Sequence, residues 1–271
     1  MTVAVQEHAI IIDVRDQICT ITFNRPDKYN AINNAFTTEL LDALKKAERD
    51  ESIRAIIITG HAENSKAFCS GQDLGDLKEK YVPGYTPHLG DDLRKRYNPI
   101  IQRMATIPKP VIAAVNGVAA GAGMSLALAC DLRICSENAS FIEVFINVGL
   151  IPDSASTWFL PRLVGMGRAM ELCTTGRKVD AQEALRIGLA NAVVPHEQLM
   201  DESRKMAQKL ASLPARGLAL TKKLLNESFQ RDLSQQLEAE AFAQETAGMT
   251  ADHFEGVTAF IEKRKPSFRG R

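Results

Sequence analysis

Three glycines, Gly117, Gly121 and Gly123, lie between PVIAAV (Pro110 to Val115), a short apolar run, and MSLALAC, a run of good helix formers. The pattern reads as strand, glycine turn, helix. Such a junction leaves backbone N–H groups without acceptors at the helix start, and the positive end of the helix dipole reinforces them. An anion fits there. The spacing G-x-x-x-G-x-G is not a dinucleotide fingerprint, and Met124 and Ser125 after Gly123 exclude a P-loop. Close packing of a helix on a strand explains the glycines equally well. A second small-residue turn, KAFCSGQDL (Lys66 to Leu74), follows another buried-type run, RAIIITG (Arg54 to Gly60). Two such turns can aim two N–H groups at one oxygen, as an oxyanion hole requires.

The candidate side chains are fewer. Asp153 opens a helical run in Pro152-Asp153-Ser154, where Asp is a favoured N-cap, and from the residues alone the cap is the stronger reading. The alternative is a carboxylate base. Val148, Leu150, Ile151 and Trp158 nearby suggest an apolar wall, whose burial of Asp153 would raise its pKa and make it a better base. Glu143 is either a solvated charge beside an apolar helix or a second carboxylate. Cys69 has no histidine in its motif to activate it as a nucleophile. The five cysteines and five histidines are scattered, without metal-ligand spacing, so no metal is expected.

Taken together, NRPDKYNAIN (24–33), KAFCSGQDL, KPVIAAVNGVAAGAGMSLALACD, GLIPDSAST (149–157) and EGVTAFIEKRKPSF (255–268) resemble the crotonase superfamily, the enoyl-CoA hydratase/isomerase family. The pieces occur in the family's order and cover nearly the whole chain. The likeness leans to the isomerase branch, which includes the ring-epoxide isomerase of phenylacetate breakdown.

The resemblance implies an α/β fold, a spiral of β-β-α repeats over 1–195 holding the CoA and catalytic site, with a C-terminal helical trimerisation region over 196–271. It implies an acyl-CoA substrate, no permanently bound cofactor, and a homotrimer or dimer of trimers. The oxyanion hole would use the N–H groups of Cys69 and Ala122, the latter where many relatives carry glycine. The two glutamates of the family's hydratases match Ser125 and Phe145, neither of which is a carboxylate. Asp153 matches the single acidic base of isomerase-type members, which reverses the preference for a cap. Glu143, two residues before Phe145, could replace a missing glutamate if the backbone rotated locally. Coenzyme A would meet Tyr29 to Ala31 and Cys69 to Asp73 (with Gly71 and Gln72), then Leu74, and from the tail Phe260 and Lys263, often those of a neighbouring subunit. Arg25 and Lys28 could meet its phosphates or be surface charges. Isomerisation of an unsaturated or cyclic epoxide-type acyl-CoA is the expected activity. The alternatives are 2-enoyl-CoA hydratase and a non-catalytic CoA-binding or RNA-associating member.

The elements that must position these residues follow the chain. HAIIIDV and QICTITFN read as strands, the second with Cys19, Ile21 and Phe23 alternating with threonines. A helix capped by Asn33 or Asn34 runs to about Asp50, with Phe36, Leu40, Leu44 and Ala47 on one face. Residues 76–98, with Pro83, Pro87, Tyr81, Tyr85 and Tyr97, read as an irregular loop between helical ends, and the resemblance implies that it borders the acyl pocket. DLRICS and ANAVV read as strands, Asp180 caps AQEALRIG, and only helices follow Pro195. Leu233, Leu237, Ala241 and Phe242 form a stripe that would pack on the chain's own core or on another copy. The chain has 271 residues, 45% hydrophobic and 24% charged, with 33 basic and 33 acidic residues. That composition suits a globular enzyme and gives no global basic excess for nucleic acid. No apolar run reaches the ~18 residues of a membrane span, and no signal peptide is evident. A reduced, cytoplasmic protein is expected.

Overall fold

The computed structural model describes residues 8–61, 66–77, 82 and 84–270. Strands β1 (Ile10–Arg15) and β2 (Ile18–Phe23) form a hairpin through Asp16 and Gln17, both at positive φ. Cys19, Ile21 and Phe23 are buried, as the alternation predicts. Helix α1 (Asn34–Arg49) starts where the Asn33 side chain accepts the Phe36 N–H, and it buries Phe36, Leu40, Leu44 and Ala47. Strand β3 (Ala55–Gly60) is buried throughout, and β4 (Ala67–Cys69) follows.

The rest of the spiral comprises α2 (Leu89–Asp92), α3 (Asn98–Thr106), β5 (Val111–Val115), β6 (Val118–Ala120) and α4 (Ala122–Leu128). Then come β7 (Leu132–Ser136), β8 (Ser140–Ile142), α5 (Ser156–Val164), α6 (Met166–Thr175), β9 (Lys178–Asp180), α7 (Ala181–Arg186) and β10 (Ala192–Val194). One sheet has the order β1-β2-β3-β5-β7-β10, parallel except for β1; the other has the order β4-β6-β8-β9, with β9 antiparallel. Successive strands alternate between sheets: β3 then β4, β5 then β6, β7 then β8. Each turn of the chain thus lays one strand in each sheet, which is the expected spiral. The larger core holds β-strand residues such as Phe23 and Phe68 with α1 and α3 to α7. Ile57, Ile112 and Ile134 on the opposite face of the large sheet are covered by Leu199, Ala207 and Ala211 of α8 (Leu199–Ala211).

Two expectations need correction. The stretch after PVIAAV is not a simple turn, because residues 118–120 form β6 before the helix begins. Residues 76–98 are not loop throughout. From Leu89 the chain is helical through a π turn (Leu93–Tyr97) into α3. Asp91–Arg94 and Asp92–Arg96 pairs support that helix. Pro99 explains the widened turn, since a proline ring clashes with the carbonyl four residues back, and Asn98 N–H bonds Leu93 O instead. Tyr81 and Pro83 lie outside the described residues.

Beyond α8 come α9 (Ala215–Glu227), α10 (Leu233–Gly248) and α11 (Ala251–Ile261). Lys222 ties α9 to the core by its ion pair with Asp131 (2.9 Å) and a bond to Met104 O. On α10, Leu233, Leu237 and Phe242 are exposed, so that stripe does not pack on the chain's own core.

Candidate active site

Glycine lets two backbones touch here. A Cβ built on Gly123, in the first turn of α4, would fall 2.1 Å from Cys69 O, and one on Gly117 would fall 2.1 Å from Lys66 O. No side chain fits, so the start of α4 lies directly on the end of β4. Gly71, at φ +91, lies against Ala120 O and Ala122 N. Gly121 N–H bonds Ile142 O, and Ser125 N–H closes the first turn on Gly121 O. The N–H groups of Ala122, Gly123 and Met124 therefore begin the helix with no intrahelical acceptor. Phe145 packs against Gly121 and is buried. The Cys69 thiol is fully buried, and burial pushes its pKa up to about 12, so it is held as the unreactive thiol. The structure thus brings the Cys69 and Ala122 segments together.

The two loops singled out by sequence are laced to each other. Ile32 N–H bonds Gly71 O, Asp73 N–H bonds Ile32 O, and Ser70 N–H bonds Tyr29 O. Asn30, fully buried, spans from Arg25 N–H to Ala67 O. Arg25 pairs with Asp73 at 2.9 Å and donates to Ala31 O, so its guanidinium braces both loops. Lys28, Tyr29 and Leu74 are exposed at the rim. Tyr97, which sequence did not single out for the site, is buried at the end of the π turn and donates its hydroxyl to Gln72 Oε1. Its phenol pKa is raised, mainly by burial, with Asp153 and Cys69 close enough to contribute. Phe260 is exposed on α11, and Lys263 follows it at φ +55. Neither belongs to this cluster of bonds.

Asp153 is not a helix cap. Helix α5 begins at Ser156 after Ala155, and no side chain caps it. Among the described residues the Asp153 carboxylate accepts only the Ser154 hydroxyl (2.8 Å), while its backbone carbonyl takes bonds from Ser156 N–H (2.9 Å) and Ser125 Oγ (3.1 Å). Ser154 and Ala155 both sit in the left-handed region (φ 50 and 61), a costly conformation of the kind found at functional sites. Burial raises the Asp153 pKa, the Ser154 bond lowers it, and Asp92 raises it. Of the residues expected to form an apolar wall beside it, Ile151 is 80% exposed, and Val148, Leu150 and Trp158 are also exposed.

Glu143 is not a solvated charge. It is 1% exposed, it accepts the Ser156 hydroxyl at Oε1, and Oε2 has no partner among the described residues. Burial pushes its pKa up to about 7, against the Ser156 bond, with Asp153 adding to the rise. No periodicity could have revealed this, because the residue's burial depends on where α5 and α6 pack.

The enoyl-CoA hydratase/isomerase family model matches residues 13–271. The chain belongs to that family. It is 42% identical to the 1,2-epoxyphenylacetyl-CoA isomerase of Escherichia coli over 97% of this chain and 98% of the relative. It is also 37% identical to the short-chain-enoyl-CoA hydratase of Clostridium acetobutylicum, over 94% and 95%. An enoyl-CoA hydratase structure from Bacillus anthracis superposes with a TM-score of 0.90 at 36% identity, covering 97% of this chain and all of that one. This enoyl-CoA hydratase/isomerase family member thus has relatives named for both reactions. Among its described residues no group of three or more His, Cys, Asp or Glu side chains could hold a metal, and no helix is long and apolar enough to cross a membrane.

Proposed function

We propose that the protein isomerises unsaturated acyl-CoA thioesters by proton transfer. Asp153 removes a proton α to the thioester carbonyl. The Cys69 and Ala122 N–H groups hold the enolate oxygen, and Asp153 returns the proton further along the chain, so the double bond moves. Rearrangement of a cyclic epoxide-type acyl-CoA uses the same parts. The observation that carries this reading is the Asp153 carboxylate, drawn out of water, raised in pKa and free of capping duty. The positions of the hydratases' two glutamates hold Ser125, bonded to Gly121 O and Asp153 O, and the buried Phe145. The hydratase reading keeps one supporting observation, the buried Glu143. Its carboxyl, however, is engaged by Ser156 and lies close enough to influence the Cys173 thiol of α6.

The pantetheine and adenine of coenzyme A lie along the laced loops at Tyr29, Ala31, Cys69, Gly71, Gln72, Asp73 and Leu74, with Lys28 at the rim and Arg25 holding the loops in register. Phe260 and Lys263 reach the cofactor of a neighbouring subunit. Residues 196–271 act as the trimerisation region. Exposed Leu233, Leu237 and Phe242, and the groove of about 790 Å³ that Phe242 lines with Leu220 and Leu224 between α9 and α10, support that assignment. A panel of 2-enoyl, 3-enoyl and aryl-epoxide CoA esters followed by mass spectrometry tests the reaction class. Isomerisation leaves the mass unchanged and hydration adds water. Rapid gain of water on 2-enoyl-CoA, with no product isomer of the other esters separating on the chromatograph that feeds the spectrometer, would overturn the proposal.

A further inference from the structure

Asp153 is aimed by a chain of side-chain bonds, not by a helix end. Ser125 Oγ, from the first turns of α4, donates to Asp153 O at 3.1 Å, and Ser156 N–H donates to the same carbonyl at 2.9 Å. Between them the backbone passes through two left-handed residues, Ser154 and Ala155. Such a segment keeps one shape only if its ends are held. Ser156, fully buried, is the downstream end, and its hydroxyl is bonded to the buried carboxyl of Glu143. Glu143 follows β8, whose strand bonds fix its backbone.

We propose that Glu143, through Ser156, is a positioning residue for Asp153, an inference that rests on Asp153 being the base. Glu143 does not touch the acyl chain in this role. It anchors the strained segment from behind, and Ser125 anchors it from α4. The arrangement also couples the charges. The groups facing Glu143 are the Ser156 hydroxyl of α5, the Asp153 carboxyl, and the Cys173 thiol of α6, which burial and Glu143 push up to about 11. With its pKa near 7, Glu143 is a neutral acid below that pH and a second buried anion above it. A second anion beside Asp153 favours the protonated form that Asp153 takes up when it removes the substrate's proton, so the rate rises as Glu143 ionises.

The experiment compares wild type with Glu143→Ala, Ser156→Ala, Glu143→Gln and Asp153→Asn on a 3-enoyl-CoA across pH, with circular dichroism to confirm folding. Glu143→Ala and Ser156→Ala should lose about 10- to 100-fold in kcat, with KM within about twofold, as misplacement of a base predicts. Glu143→Gln still accepts the Ser156 hydroxyl. It should keep most of the acidic-side rate and lose the rise in rate that wild type shows near pH 7. A near-native kcat in both alanine variants, or the same rise near pH 7 in Glu143→Gln, would overturn the inference. Where an alanine variant does not fold, the Glu143→Gln profile decides alone. If Asp153→Asn keeps its rate, the base assignment has failed instead.

Discussion

The two halves of the site are built by different means. At Cys69 and Ala122 the groups proposed to act are backbone N–H, and their placement follows from glycines that let α4 sit on β4 without an intervening side chain. At Asp153 the group proposed to act is a side chain, in a segment bonded by serines, one of them tied to a buried glutamate, and containing two left-handed residues. The first half asks no chemistry of the Cys69 side chain, which is fully buried and has room only for a small group, and it admits no Cβ at Gly123. The second half has no required glycine and depends on specific hydroxyl and carboxyl groups. A backbone-built site fails through sterics, and a side-chain-built site fails through chemistry while the fold survives.

The substitution with the largest expected effect acts on the first half. Gly123→Val places a Cβ 2.1 Å from Cys69 O, and backbone on both sides cannot yield as a side chain can. Loss of folded protein is expected, read as absence of a cooperative thermal transition; a stable variant would show that α4 can move off β4. Next, Asp153→Asn should fold, with a Tm close to wild type, because the carboxylate caps no helix and both bonds to the Asp153 carbonyl remain. Its isomerisation rate should drop about 10²–10⁴-fold. Ala122→Pro removes a donor without removing a side-chain contact, at a first-turn position that accepts proline. Its expected cost is about 2.7–4 kcal/mol of transition-state stabilisation, measured as kcat in a variant shown to be folded.

The smallest effect is on stability. The Glu143 pKa is raised in the fold, so its contribution is fully present below the ordinary value of 4.5 and is lost as pH rises through about 7. The loss amounts to about 3 kcal/mol at most. Glu143→Gln has no such dependence, so its Tm relative to wild type should climb between about pH 5 and pH 8. A constant difference across that range would show that Glu143 does not titrate there.

The same contrast governs what could be read from the chain. Gly117, Gly121 and Gly123 announced a close approach, and Phe36, Leu40 and Leu44 announced a buried helix face, because each needs only local spacing and residue type. The Asn33 and Asp180 caps were legible for the same reason. Asp153 looked like a cap because local sequence cannot show that Ser154 and Ala155 turn left-handed and delay the helix to Ser156. Glu143 looked solvated because its burial comes from α5 and α6, which arrive later in the chain. The helix from Leu89 was hidden by prolines and glycines on either side, and Pro99 inside it was absorbed by a π turn. The Leu233–Phe242 stripe was visible, but only the fold shows that it faces away from the core.

The role proposed for Asp153 is that of one aspartate which, without a water-activating partner, moves a proton along an acyl chain. Its most direct test is kcat/KM for a 3-enoyl-CoA beside kcat/KM for hydration of crotonyl-CoA, in wild type, Asp153→Asn and Glu143→Gln. The 3-enoyl ester should turn over far faster than crotonyl-CoA is hydrated, and Asp153→Asn should abolish that turnover. Fast hydration that Glu143→Gln abolishes and Asp153→Asn leaves intact would contradict it, and would make Glu143 the base of a hydratase.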